Sequence, residues 1–249
     1  MNTVLGSIFR AELKLLSRNV AVAVAATLMP LAMAGYLVFT GKNSPHAIGW
    51  AVPTTLILLL LFGMTGYITS AGSLSARRDD LYLKRLRCGE ASDAVVLFGV
   101  LSPVIAVTLA QCALVLVVTG FAGSAVPTNP VLLVLVLIAG TVLAVTAGMA
   151  TSGVTTSSEQ AQTAAMPFFL VLLGSGVWAS FDIATGLSTP QRLLPGGAVL
   201  DLVRLSYDTT GTFVGQLADG LPALGVLAVW VLIGVVVGKR YFRWEPRAH

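Results

Sequence analysis

The chain has 249 residues, of which 56% are apolar and only 10% charged, and its 15 Lys and Arg against 11 Asp and Glu leave a net charge of +4. A water-soluble domain carries roughly a quarter of its residues as charges, so a soluble globular protein is excluded, in keeping with the mean hydropathy of +0.87. The positive balance is explained by membrane topology, and nucleic acid is not needed as a partner.

The N-terminal segment Asn2 to Asn19 reads as a helix lying on the membrane. At about 100° per residue, Arg10, Lys14 and Arg18 form one stripe while Ile8, Phe9, Leu13 and Leu16 lie on a broad apolar face. Glu12 interrupts that face and needs a polar partner. Basic residues continue to Arg18 without a short apolar core and small-residue cleavage site, so this segment is expected to be retained rather than cleaved as a signal peptide.

Beyond it, Asp, Glu, Lys and Arg are missing from 20–41, 43–76, 94–158, 160–181 and 220–238. A mid-membrane charge is costly and a crossing needs only about 20 apolar residues, so these blanks mark spans. Six are assigned: Val20 to Thr40, Trp50 to Gly72, Ala94 to Thr119, Val131 to Gly153, Ala164 to Phe181 and Leu221 to Gly238. The third and fourth share one blank and are divided by the turn formers Gly120, Gly123, Pro127, Asn129 and Pro130.

Spans 2 and 3 are joined by Ser75-Ala-Arg-Arg-Asp-Asp-Leu-Tyr-Leu-Lys-Arg-Leu-Arg-Cys-Gly-Glu-Ala-Ser-Asp93. It reads as a short helix in which Asp80 and Lys84 are i,i+4 partners, Tyr82, Leu83 and Leu86 share a face, and Gly89 supplies a stop. An apolar ridge among charges is a docking surface, whereas a loop serving topology alone needs none. Before span 5, Thr156-Ser-Ser-Glu159 has the spacing of a capping box. Between spans 5 and 6, Asp182 to Gly220 is broken by Pro190, Pro195, Gly196 and Gly197, after which Ala198 to Tyr207 reads as a helix. Ten residues reach only about 15 Å, so that helix is re-entrant or lies at the outer interface.

Twelve of the 15 basic residues fall before span 1, between spans 2 and 3, or after span 6, and only Lys42, Arg192 and Arg204 fall opposite. Both termini are therefore expected in the cytoplasm. Cys88 and Cys112 are expected to be inert, one in a loop and one within span 3. Eleven Arg against four Lys, with abundant Ala, Val and Gly, point to a GC-rich bacterial genome.

Catalytic signatures are lacking. Gly234-Val-Val-Val-Gly238-Lys239 has too few intervening residues for a phosphate-binding loop, and Gly174-Ser-Gly-Val-Trp-Ala179 closes a membrane helix instead of following a strand, so its likeness to a dinucleotide fingerprint is chance. His46 and His249 are the only histidines and form no metal motif. No catalytic, cofactor-binding or metal-ligating residue is assigned. Thr65, Thr69 and Ser73 repeat every four residues on span 2, as packing hydroxyls or as a pathway lining. Phe168, Phe169 and Trp178 offer aromatic surface on span 5, suited to an amphiphile.

The order of these parts, with Phe9-Arg-Ala-Glu-Leu-Lys-Leu-Leu-Ser-Arg-Asn19, Ser75 to Arg87, Ser158-Glu-Gln-Ala-Gln162 and Pro190-Gln-Arg-Leu-Leu-Pro195, resembles the permease subunits of type-2 ATP-binding-cassette exporters, including the daunorubicin- and linearmycin-resistance types. The resemblance covers nearly the whole chain. It implies one all-α integral membrane permease domain over residues 1–249: an interfacial elbow helix at 1–19, six spans within 20–238 and a cytoplasmic tail at 239–249. It also implies an ATPase-coupling region at Ser75 to Arg87, with Arg77, Arg78, Asp80, Leu83, Arg85 and Leu86, and a pathway lined mainly by spans 2 and 5. Two copies, or this chain and a paralogue, would enclose that pathway in a bacterial plasma membrane, with ATP and magnesium bound by a separate ATPase subunit. Cys88-Gly-Glu90 and Gly174-Ser-Gly-Val-Trp178 depart from the family's usual turn and proline-bearing helix end. The competing readings are a secondary transporter or channel, which would ordinarily bury ionisable groups, and a membrane anchor for a signalling partner.

Overall fold

The protein was described from a computed structural model covering residues 50–82, 92–121 and 126–242, with six helical positions between 28 and 39. The expected interfacial helix with Arg10, Glu12, Lys14 and Arg18, most of span 1, and Leu83, Arg85 and Leu86 lie outside the described residues. Five described helices are long and apolar enough to cross a membrane. They are α1 (Ala51–Asp79), α2 (Asp93–Phe121), α3 (Pro130–Val154), α4 (Ser158–Phe181) and α7 (Phe213–Tyr241). Two shorter helices, α5 (Thr189–Leu193) and α6 (Pro195–Tyr207), lie between α4 and α7. No strand occurs among the described residues.

Each crossing helix matches an expected span but outruns it at one end or both. The α4 helix begins at Ser158 rather than Ala164, and α7 runs from Phe213 to Tyr241 rather than from Leu221 to Gly238. The blanks measure the hydrocarbon layer, whereas a helix continues into the interface, where charged ends are solvated. The capping box is displaced by one residue. Ser157 is the N-cap and accepts from the Gln160 amide, while Gln160 Oε1 accepts from both the amide and the hydroxyl of Thr156. This register satisfies three donors, against two for the expected Thr156–Glu159 pair.

The largest core gathers Leu58, Phe62 and Tyr67 of α1, Leu132 and Leu143 of α3, Leu172 of α4 and Val199 and Leu202 of α6. Of the 13 residues of α6, all but Arg204 are buried, and the helix packs on α1, α3, α4 and α7. At 13 residues it is about 20 Å long, too short to cross about 30 Å of hydrocarbon. It is a short plug seated among the crossing helices, and it starts at Pro195 instead of Ala198 because proline at N1 is preorganised for helix entry.

Close approach of glycine seats that plug. A Cβ on Gly196 would fall 2.2 Å from the Leu172 carbonyl oxygen, and one on Gly197 would fall 2.0 Å from the Gln191 carbonyl oxygen. Ser175 Oγ accepts from the Gly196 amide at 3.0 Å, and Gly176 receives the Leu59 side chain. Ser175 and Gly176 thus serve helix packing, as small residues do between membrane helices, whereas Gly174 faces open space.

Candidate transport and coupling site

The first part of the site is α1. It departs from α geometry over Phe62–Ile68, a seven-residue π-helical stretch that then returns to α-helix. Such stretches recur where helices serve function. Two glycines allow neighbours to reach its backbone: Gly63 lies under the Phe169 ring and Gly66 against Ala144. The Thr69 hydroxyl donates to the Met64 carbonyl five residues back, at 3.1 Å. Thr69 is exposed and Thr65 and Ser73 are partly exposed, so the three hydroxyl residues lie along the outer surface of the bundle.

The aromatic residues do not converge on that stripe. Phe168 points to the opposite side of α1, with its ring edge-on to Tyr67 at 5.3 Å and tilted against Trp230 at 5.8 Å. Phe169 packs on Gly63, and Trp178 is 44% exposed farther along α4. Sequence reasoning missed Tyr67 and Trp230. The available signal was a Tyr and a Trp deep in apolar spans, where each must find a polar partner: Tyr67 Oη pairs with Thr151 Oγ1 at 2.8 Å, and Trp230 Nε1 donates to the Leu193 carbonyl at 3.0 Å.

The second part is the end of α1. The first five residues of the expected short helix, Ser75 to Asp79, instead continue span 2, which runs unbroken to Asp79. At Leu81 the chain turns in a left-handed conformation with φ 57°, the Leu81 amide bonded to the Arg78 carbonyl. A non-glycine residue there costs about 1–2 kcal/mol. Arg77 lies over the Tyr82 ring, 5.2 Å from its centroid, and Asp80 is exposed. Arg78 is different: it is 1% exposed, so it is not part of an exposed docking surface. Its Nη1 donates to the Ser152 carbonyl at 2.8 Å and its Nε lies 3.6 Å from Asp79 Oδ1. A guanidinium at the C-terminal end of α3 satisfies a carbonyl the helix leaves free and complements its dipole.

The third part is the segment between α4 and α7, held by Gln191, which is fully buried. Its Oε1 accepts from the Ser188 amide and hydroxyl at 2.7 and 2.8 Å, and its Nε2 donates to the Trp178 carbonyl at 3.3 Å and Asp182 Oδ2 at 2.6 Å. Beyond α6, Thr128 Oγ1 and Gln216 Nε2 both donate to the Asp208 carbonyl. The Asp208 carboxylate accepts from the Thr210 hydroxyl and amide, bonds that hold its pKa below the ordinary carboxylate value.

Among the described residues, no group of His, Cys, Asp or Glu is placed to hold a metal ion, and Cys112 is a buried free thiol. What the geometry provides is a long helix with a polar exposed stripe, one end of the bundle plugged by α6 and α1 pinned at the other. No curated protein matches the chain. The family model for the ABC-2 type transporter matches residues 3–185, nearly three quarters of its length, and the chain therefore belongs to the ABC-2 type transporter family.

Proposed function

We propose that this membrane permease exports a drug-like or lipid-like amphiphile across a bacterial plasma membrane, driven by a separate ATPase subunit that binds ATP and magnesium. A second copy or a paralogue completes the pathway, and both termini face the cytoplasm. The carrying observation is the continuity of α1. Its 29 residues extend about 43 Å against about 30 Å of hydrocarbon, so one rod bears both Thr65, Thr69 and Ser73 and the basic end at Arg77. Force applied beyond Asp79 reaches the hydroxyl stripe without passing through a loop.

In this mechanism the ATPase grips the segment after α1, through Arg77, Asp80, Leu83, Arg85 and Leu86, and its ATP-driven closure tilts α1 and α4. Differential affinity of the ATPase for the two tilts supplies the shift in population. Arg78 holds the end of α1 to α3, and Arg10, Glu12, Lys14 and Arg18 anchor the interfacial helix. Phe169 and Trp178 offer apolar surface on α4, apart from the hydroxyl stripe of α1, so an amphiphile is held between the two helices without an intramembrane charge.

The test is co-purification from the native membrane followed by ATPase and transport assays. An ATPase subunit is expected with the wild-type chain and lost from the Leu83→Asp, Leu86→Asp double variant, with membrane insertion retained. Normal co-purification of that variant would remove the coupling assignment, and cargo movement without ATP would remove the exporter reading.

A further inference from the structure

A cleft of about 220 Å³ opens between α4 and α7, lined by Tyr67, Phe168 and Trp230 and by apolar residues of α3 and α7. The α4 helix leans mainly on α6 and α1, and α7 mainly on α3 and α6, so the two part below the short α5–α6 segment. The α3 wall is one helical stripe, Leu143, Ala147, Ala150 and Thr151, and the α7 wall is another, Trp230, Ile233, Gly234 and Val237. The hydroxyls of Tyr67 and Thr151 pair with each other, and the Trp230 indole N–H is bonded to Leu193. The walls therefore ask for an apolar occupant.

We propose that this cleft binds one acyl chain of a membrane lipid, in the leaflet on the side where α1, α3 and α7 end. Three observations select that occupant. The cleft lies within spans, and the residues of α7 beside it, Val229, Leu232 and Val236, are 55–61% exposed on the lipid-facing surface. From Trp230 to Val237 the wall rises about 10 Å, a third of the roughly 30 Å hydrocarbon layer, which fits a segment of one chain. Its volume exceeds the ~150 Å³ apolar cavity that takes up benzene and falls short of the ~300–1,000 Å³ of a drug-sized site. The chain would lie edge-on to the Tyr67–Phe168–Trp230 cluster, wedged between α4 and α7, and would brace the face of α1 opposite its hydroxyl stripe. The site is distinct from the proposed pathway and holds whatever the cargo.

The full chain, reconstituted in nanodiscs of phosphatidylglycerol with a diazirine in one acyl chain, is irradiated and its labelled residues are mapped. Labelling is expected to concentrate on Ala150, Ile233 and Val237 over the lipid-facing Val229 and Val236. Ala147→Phe, which fills the cleft, should abolish the excess while labelling at Val229 persists. Ala150→Leu is the milder second variant and should reduce it if Ala147→Phe lowers the thermal midpoint. Uniform labelling along α7, a cleft left unlabelled because another segment of the chain fills it, or an excess that survives both substitutions would overturn the proposal. So would an excess seen only with a single-chain amphiphile and not with the phospholipid.

Discussion

Gln191 shows how much one side chain settles at the α5–α6 end. It is fully buried with both amide groups bonded, tying the end of α4 at Trp178 and Asp182 to the entry of α5. In Gln191→Leu these partners lose their bonds while the volume is kept, and the cost expected is roughly 1–3 kcal/mol. It is read as a lower thermal midpoint of the purified permease; an unchanged midpoint would show that water replaces the bonds. Asp208 gives a pH dependence at the same end. Its lowered pKa means that the loop's stabilisation is complete above the ordinary carboxylate value of about 3.9 and is lost as pH falls through the lowered one. Hydrogen exchange across 205–216 should accelerate below that point relative to Asp208→Asn, in which the step is absent. None of this was legible in the sequence, because a Gln or Asp between spans reads only as polar. Gly196 and Gly197 were legible as breakers, yet their reason, a backbone approach to α4 and α5, required the fold.

At the scale of elements, the crossings were readable because a charge is costly in hydrocarbon, and five of the six expected spans coincide with crossing helices. Their faces were not readable. A helix apolar all round gives no periodic signal for the side it turns to a neighbour, so Phe168 was grouped with the hydroxyls it faces away from, and Tyr67 and Trp230 were overlooked. Ser75 to Asp79 was assigned to a separate helix because charges begin there, whereas basic residues belong naturally to the last turn of a helix. Arg78 tests that continuity. Removing its charged bond to the Ser152 carbonyl in Arg78→Ala should cost roughly 1.5–3 kcal/mol and loosen α1 from α3. The expected outcome is retained ATPase association with transport per ATP hydrolysed sharply reduced. Unchanged coupling would show that the α1–α3 junction carries no force; loss of association would return Arg78 to the docking surface.

For the whole molecule, the ends of the helices sort into two opposed sets. Asp79, Val154 and Tyr241 close one side with Arg77, Lys239 and Arg240, while the α5–α6 segment and the loop through Asp208 close the other. The basic excess on the first side is what supports the proposed cytoplasmic placement of that side, and burial decides where the proposal can be probed. Arg78 would be a poor labelling site because it is enclosed, whereas Asp80 and Thr209 are exposed on opposite sides. Cys112 is buried, so it remains silent, and Cys88 is replaced by Ser to clear the background. In intact cells an impermeant maleimide should label Thr209→Cys and spare Asp80→Cys, and permeabilised cells should label both. The reverse pattern would invert the protein in its membrane, placing the plug of α6 and the Gln191 latch on the side of the ATP supply. The basic end of α1 would then lie where no ATPase can reach it, so the same experiment that fixes the topology decides whether the proposed lever can work.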